Sequence, residues 1–165
     1  MGYSGHKHQK GIKELSIADN NGFIIAPLNV KPVNQHDTTL LPQSLDDLAD
    51  MADLIGLDLV GSYLTLDSGF WSARNRWRIR QMKMTPVIKP NRGRIKNEKK
   101  LEQIYADFNE QIYKTRFPIE RSFGWQDTYR KLVIRYEKLE CTHNGFKYLA
   151  YSMINLRVFF QENLI

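Results

Sequence analysis

The chain has 165 residues, of which 42% are hydrophobic and 12% aromatic, which predicts one domain with a packed core. Its formal net charge of +6 predicts an anionic partner such as nucleic acid, because Lys and Arg are attracted to phosphates. The single cysteine, Cys141, excludes an internal disulfide and a multi-cysteine zinc site, and no apolar run resembles a membrane span or a signal peptide, so we expect a cytoplasmic protein.

The first 30 residues are predicted to form a basic lead-in followed by a β-hairpin. Leu15 and Ile17 alternate with polar positions, residues 19–22 supply turn chemistry, and residues 23–26 resume an apolar strand. An Asp in such a turn usually hydrogen-bonds its own backbone, so Asp19 is interpreted as a turn residue. A sheet is therefore expected to begin in this segment.

A connector and an amphipathic helix are predicted next. Ser44, with an acid three residues later, resembles a helix capping box, and apolar residues then recur at helical spacing as far as Gly56. This places the start of the helix near Ser44 and leaves Asp37 in a loop, with its role open.

A short apolar strand over residues 61–66 is predicted to end on Asp67, before a Ser-Gly turn. Ligands of open α/β sheets collect beyond the carboxyl ends of the strands, so Asp67 is a candidate functional acid. The alternative, a plain turn or N-cap residue, stays open on this pattern alone.

The next segment is strongly basic. A helix is predicted from Phe70 to Met84, with a stripe that includes Trp77 packing inward and its arginines facing outward. A strand over residues 86–90 and a loop over 91–97 follow. Because a solvated face normally mixes charges, we interpret the bias as a track for a phosphate backbone; its cations are Arg74, Arg76, Arg78, Arg80, Lys83, Arg92, Arg94, Lys96, Lys99 and Lys100.

Residues 113–138 place one carboxylate, Glu120, among many cations and aromatic rings. Proline is tolerated only in a first helical turn, so Pro118 predicts a helix that begins near Phe117. The cluster is either a solvated ion-pair face or a metal-binding acid beside phosphate-binding cations. After an interruption around residues 141–145, a final helix is predicted to pack in the core through Phe146, Leu149, Ala150, Met153, Ile154, Arg157 and Phe160.

The pattern Tyr113, two residues, Arg116, three residues, Glu120, followed by Phe-Gly-Trp and by Arg-Tyr-Glu-Lys at residues 135–138, resembles the signature around the last acid of bacterial insertion-sequence DDE transposases. In that family a strand-end Asp followed by a small residue and an aromatic is the second acid, which matches Asp67. The resemblance covers residues 1–165 as one domain: residues 1–30, residues 31–112 with Asp67, and residues 113–165 with Glu120.

This resemblance implies an α/β, RNase H-like fold, a mixed sheet flanked by helices. It also implies transposition by two-metal phosphoryl transfer, with three acids holding Mg²⁺ or Mn²⁺. Asp67 and Glu120 would be metal ligands, and double-stranded DNA, as transposon ends and target, would be the partner. Residues expected to contact this DNA are Tyr113, Arg116, Arg121, Arg130, Lys131, Arg74, Arg78, Arg92 and Arg94.

Two positions depart from the family. Asp127 stands where a DNA-facing Lys is common, and the first acid, on a strand upstream of the lead-in, is missing. Without this first central strand, the hairpin strand near Leu15 and the strand ending on Asp67 should each have an unpaired edge. We therefore expect an N-terminally truncated domain, inactive unless an upstream N-terminal transposase fragment supplies the strand and acid.

Two other functions remain open. One is a non-catalytic DNA-binding remnant or regulator derived from a transposase. The chain could form a homodimer both as a transposase and as such a regulator. The other is an RNA-binding module that stacks single strands on Trp71, Trp77 or Trp125.

Overall fold

The computed structural model describes residues 2–4, 8–91, 93, 96–134 and 136–163. They form a mixed α/β fold, as expected. No helix among the described residues is long and apolar enough to cross a bilayer. The elements are β1 (Gly2–Ser4), β2 (Gln9–Leu15), β3 (Asn29–Pro32), α1 (Asp37–Ile55), β4 (Tyr63–Leu66), α2 (Ala73–Gln81), β5 (Thr85–Ile88), α3 (Glu98–Ala106), α4 (Glu110–Lys114), α5 (Phe117–Gln126), α6 (Arg130–Val133) and α7 (Glu140–Asn163).

The strands form two sheets, β1-β2-β3 and β4-β5. In the first, β2 pairs antiparallel with β1 over residues 9–11 and with β3 over residues 12–15. In the second, β4 and β5 are parallel, with Tyr63 opposite Thr85 and Leu66 opposite Ile88. Within the described chain, β4 pairs with β5 alone and residues 12–15 of β2 pair with β3 alone. Each of these two strand segments thus has a partner on one side only among the described residues.

The predicted turn at residues 19–22 forms, but the strand after it does not. An Asp19 carboxylate oxygen accepts hydrogen bonds from the backbone N–H groups of residues 21–23 at 2.8–3.0 Å, which confirms its interpretation as a turn residue. A single bridge joins Ala18 to Ile24. The Asn155 side chain of α7 bonds both the N–H of Ile24, at 2.7 Å, and its carbonyl, at 3.0 Å, so a side chain replaces a strand partner there.

The first long helix begins earlier than predicted. Its N-cap is His36, which makes Asp37 the first helical residue, and Pro42 lies within the helix. Ser44 is not a cap, because it is buried and accepts a hydrogen bond from the Asn29 side chain of β3 at 3.1 Å. The predicted end at Gly56 is correct, with this glycine in the left-handed conformation at φ 70°.

The main core lies between α1, α2 and the β4–β5 pair, with the hairpin segment packed against it. It fixes the end of β4, and thereby the position of Asp67. Its buried members are Ile17, Ala26, Leu41, Leu45, Leu48, Leu64, Leu66, Ile79, Met84 and Ile88.

The basic helix α2 is shorter than predicted and rotated. A 3-10 turn, Ser68–Phe70, precedes it, and Ser72 caps it. Its buried residues are Asn75 and Ile79, whereas Trp77 is 60% exposed. The prediction that Trp77 packs inward is therefore wrong. The Asn75 side chain faces inward instead and donates to the Phe70 carbonyl at 3.0 Å, which a count of apolar spacing does not detect.

The C-terminal half also differs from the prediction. The helix carrying Glu120 ends at Gln126, followed by the short α6, and α7 runs unbroken through Gly145, where an interruption was predicted. The inner face of α7 buries Lys147, Ala150, Tyr151, Ile154 and Val158, whereas Leu149, Met153 and Phe160 are half or more exposed. The core prediction is thus correct for Ala150 and Ile154 and wrong for Leu149, Met153 and Phe160.

A charged network attaches α5 and α7 to the first sheet. Glu14 of β2 accepts hydrogen bonds from buried Lys147 and Tyr151, and from Gln126 of α5 at 3.3 Å. Burial and the charge of Glu14 raise the pKa of Tyr151 above its ordinary value, so its hydroxyl remains a donor. Glu14, Lys147 and Tyr151 are thus paired with one another in this low-dielectric interior, whereas the buried Oε1 of Gln126 accepts no hydrogen bond from the described residues.

Candidate active site

Asp67 lies directly after β4, at the carboxyl edge of the parallel strand pair. Its backbone carbonyl accepts from the N–H of Phe70 at 3.0 Å, which opens the 3-10 turn. Its side chain makes no cap hydrogen bond to that turn and is 62% exposed. The carboxylate is thus available for other contacts, unlike that of Asp19.

The turn after Asp67 packs tightly on the start of α1. A Cβ at Gly69 would lie 2.6 Å from an Asp37 carboxylate oxygen. The other oxygen of Asp37 forms an ion pair with Lys13 of β2 at 2.7 Å. Asp37, which the sequence left without a role, therefore links β2, α1 and the turn that carries Asp67. Gly69, which has no Cβ, permits this close approach.

Glu120 lies in the opening turn of α5, as Pro118 predicted. The helix docks on the hairpin turn: Arg121 donates to the Asn21 carbonyl at 2.6 Å, and the Ser122 hydroxyl donates to that of Gly22 at 3.3 Å. Gly22 has φ 101°, and a Cβ there would lie 2.9 Å from the Arg121 guanidinium. The hairpin turn therefore sets the position of Glu120.

Helix α4 packs against β4 and β5 and brings Tyr113 to the same edge. A proline lacks the N–H that would continue this helix, so the chain kinks before Pro118, and Arg116 becomes the N-cap of α5. The kink leaves both Tyr113 and Arg116 facing Asp67.

Arg116 joins the two acids. One guanidinium nitrogen is paired with Asp67, and the other is 2.7 Å from a Glu120 carboxylate oxygen. The Tyr113 hydroxyl donates to Asp67 at 3.0 Å and accepts from Arg116 at 2.9 Å. Two acids distant in sequence thus meet around one cation.

The electrostatics of this cluster keep its donors protonated. Burial, followed by the hydrogen bond to Asp67, raises the pKa of Tyr113 to about 12. Burial lowers the pKa of Arg116, but the hydrogen bonds and charges of Asp67 and Glu120 outweigh it, so the pKa is raised overall. One guanidinium faces two carboxylates, which leaves an excess of negative charge that favours a further cation.

Comparison with protein families gives a match over almost the whole chain. Residues 1–153 match the family described as Transposase DDE domain. The chain belongs to this family. This confirms the resemblance to DDE transposases of insertion sequences.

A related protein, the putative transposase for insertion sequence element IS402 of Burkholderia cepacia, is 26% identical over 145 residues. The match covers 87% of this chain and 62% of that protein, so the chain spans less than two thirds of its relative. No solved structure matches the chain.

The donor set suits a hard divalent ion in part. Carboxylate oxygens are the ligands that Mg²⁺ and Mn²⁺ prefer, and Asp67 and Glu120 offer two such groups at one edge of the DDE domain. The described residues contain no group of three His, Cys, Asp or Glu side chains that could hold a metal. The two carboxylates therefore match the donor type that a divalent ion prefers, but they do not form a complete metal site among the described residues.

Of the other predicted DNA contacts, Arg121 follows Glu120 on α5, whereas Arg74, Arg78 and Arg130 lie on other helices. Arg74 is exposed on α2, Arg78 is paired with Asp46, and Arg130 is exposed at the start of α6. Arg121 is held by the hairpin turn and lies 5.1 Å from the Trp125 ring centre. The side chain of Lys131 and the whole of Arg92 and Arg94 are outside the described residues.

Asp127, the departure from the family pattern, is exposed at the end of α5. It lies on the same helix as Glu120 but about two turns further along, in a position to face solvent.

Proposed function

We propose that this domain is the catalytic part of an insertion-sequence transposase, which cleaves and joins DNA by metal-dependent phosphoryl transfer. The observation that carries the proposal is the convergence of Asp67 and Glu120 on Arg116, with Tyr113 beside them. Membership of the DDE family supports DNA as the substrate, and so does the net charge of +6.

In this proposal Asp67 and Glu120 hold Mg²⁺ or Mn²⁺. When bound, the metal supplies activation of the attacking oxygen or stabilisation of the leaving oxygen. Arg116 then turns from the carboxylates to a DNA phosphate, which a guanidinium binds with two parallel hydrogen bonds. Tyr113, whose hydroxyl donates to Asp67 in this structure, then donates to the same phosphate. Arg74 and Arg80, the exposed arginines of α2, hold the backbone of the flanking DNA.

We further propose that a third acid completes the site on a strand that enters between β2 and β4. The support is the pair of open edges, residues 12–15 of β2 and residues 63–66 of β4. A strand between them would join the two sheets and place its own acid beside Asp67. The segment that carries it would be supplied by a part of the transposase outside this chain.

Titration with Mn²⁺ tests the assignment of the two acids. We expect the wild-type chain to bind Mn²⁺ and both Asp67→Asn and Glu120→Gln to lose this binding. Asp127→Asn is the matched control, because it makes the same charge change on the helix of Glu120 and should leave binding intact. Mn²⁺ binding that survives both site substitutions would refute the proposal.

A DNA-nicking assay tests the third acid. The isolated chain should bind DNA but not nick it in Mg²⁺, and an added segment with the missing strand and acid should restore nicking. Strong nicking by the isolated chain that Asp67→Ala abolishes would contradict this part of the proposal.

A non-catalytic DNA-binding regulator is the second candidate, and it is favoured by the exposed cations of α2. This candidate predicts that the chain binds DNA with a steep salt dependence and does not bind Mn²⁺. It also predicts that Asp67→Asn and Glu120→Gln leave the DNA affinity unchanged.

A further inference from the structure

Trp77 lies at the centre of the solvent face of α2. The buried face of this helix is formed by Asn75 and Ile79. On a helical projection the opposite arc, about 120° wide, holds five exposed residues, with Trp77 in the middle: Ala73, Arg74, Trp77, Arg80 and Gln81. A tryptophan that is 60% exposed leaves a large apolar ring in water, where burial would stabilise the fold.

The charged residues of α2 around this ring are all cations. Helix α2 has no acidic residue, and Arg74 and Arg80 flank Trp77 at three residues on either side. The two remaining arginines are engaged elsewhere: Arg76 lies 4.1 Å from the Trp71 ring centre, and Arg78 is paired with Asp46. Trp77 is thus framed by the two arginines of α2 that are exposed.

The other tryptophans of the domain already have a cation over the ring. Trp71 is covered by Arg76 at 4.1 Å, and Trp125 has Arg121 at 5.1 Å and Arg157 at 4.6 Å. Both rings are partly buried. Trp77 therefore differs from them in offering a largely open π face.

We propose that Trp77 is a stacking site for an unpaired DNA base beside the Asp67–Glu120 site, with Arg74 and Arg80 holding the neighbouring phosphates. The identity of the substrate as DNA rests on the proposed function. An exposed ring between cations suits nucleic acid, because a base stacks on the ring while its phosphates pair with the arginines. A partner protein surface would need acids for these arginines and an apolar pocket for the ring.

The position of Trp77 fits a base close to the reacting phosphate. The 3-10 turn Ser68–Phe70 leads from Asp67 to Ser72, which caps α2. Trp77 is one turn into this helix, about 6 Å along its axis from Ala73. A strand that ends at the acids can therefore place an unpaired base near α2.

Binding to two DNAs tests the proposal. Fluorescence anisotropy would compare a labelled duplex with the same duplex carrying a short single-stranded overhang. We expect wild type to prefer the overhang, Trp77→Ala to lose this preference by about tenfold or more, and Trp77→Phe to keep most of it. Leu54→Ala, at an apolar α1 residue that is 78% exposed, is the matched control and should change neither affinity.

Intrinsic fluorescence gives a second measurement that does not require the alanine variant to fold. A single-stranded oligonucleotide should quench wild-type tryptophan emission, and Trp77→Phe should remove most of the quenching. The stacking site would be overturned if Trp77→Ala lost affinity equally for the two DNAs, or if quenching of the tryptophan emission survived Trp77→Phe. So would a dimer that Trp77→Ala converts to monomer, because the ring would then be an interface residue.

Mn²⁺ titration separates this inference from the proposed function. Trp77→Ala should bind Mn²⁺ like wild type, since it is not a ligand. If Asp67→Asn and Glu120→Gln leave Mn²⁺ binding unchanged, the metal site fails while the overhang preference still reports on Trp77.

Discussion

Replacing Arg116 should strengthen Mn²⁺ binding in the absence of DNA. The guanidinium neutralises both proposed metal ligands at once, so it competes directly with a metal ion. Arg116→Ala removes this competitor and leaves Asp67 and Glu120 without a counter-charge. If Arg116 served only to bind phosphate, the same change would leave Mn²⁺ affinity unaltered.

The size of the effect follows from the exposure of the three groups. The side chains of Asp67 and Glu120 are 62% and 48% exposed and that of Arg116 is 30% exposed. Each pair is then worth about 0.2–1 kcal/mol after solvent screening, and the two together about 0.4–2 kcal/mol. With roughly 1.4 kcal/mol for each factor of ten, Arg116→Ala should lower the Mn²⁺ dissociation constant about 2- to 30-fold.

Isothermal titration with Mn²⁺ at low salt measures this change. Lys114→Ala is the matched control, because it removes one positive charge from the same region while breaking only an exposed pair with Glu110, at 3.1 Å. A DNA duplex should raise the Mn²⁺ affinity of wild type, since the phosphates attract Arg116, but not that of Arg116→Ala. Unchanged or weaker Mn²⁺ binding in Arg116→Ala would refute the competition.

Three further predictions concern stability. In urea unfolding, Gly22→Ala should destabilise by at least about 1–2 kcal/mol, because its φ of 101° is strained for an L-residue, whereas the helical Gly124→Ala should stabilise by about 0.5–1 kcal/mol. Glu14→Gln should cost about 3–5 kcal/mol, because buried Lys147 loses its counter-charge; a cost below about 1 kcal/mol would contradict this. The raised pKa of Tyr151 means that the folded chain binds this proton more tightly, so stability should fall as pH rises above about 10, and Tyr151→Phe should flatten that fall.

The sequence predicted the local structure around the candidate site well. The strand that ends on Asp67, the helix that begins at Phe117 and the turn at Asp19 all depend on short-range rules for strands, proline and Asp in turns. The motif spacing also joined Tyr113, Arg116 and Glu120, and these converge even though the helix is broken between α4 and α5. Short-range sequence rules therefore predicted most of the local structure that forms the candidate site.

The errors arose where a tertiary contact outweighs a local pattern. Ser44 has the form of a cap, but its hydroxyl is used by Asn29 of β3, and the helix starts at Asp37. Periodicity assigned Trp77 to the core, yet the polar Asn75 takes the inner face, through its bond to Phe70. The first contact joins two elements 15 residues apart, and the second depends on the turn that precedes α2, so apolar periodicity detects neither.

The two faces of α7 show the same limit. Helix α7 carries apolar residues on all of its faces, so periodicity alone did not separate the buried Ile154 from the exposed Leu149 and Met153. The side that packs inward is fixed by the bonds from Lys147 and Tyr151 to Glu14, which join opposite ends of the chain.

Iron-mediated cleavage of the chain tests most directly whether the two acids share one metal ion. Fe²⁺ bound in place of Mg²⁺ reduces added hydrogen peroxide to hydroxide and a hydroxyl radical, which cuts the backbone near the ion. We expect two sets of cuts, around residues 67 and 120, which disappear together in Asp67→Asn and also in Glu120→Gln. Cuts at one of these positions alone, or cuts at both that survive either substitution, would contradict it.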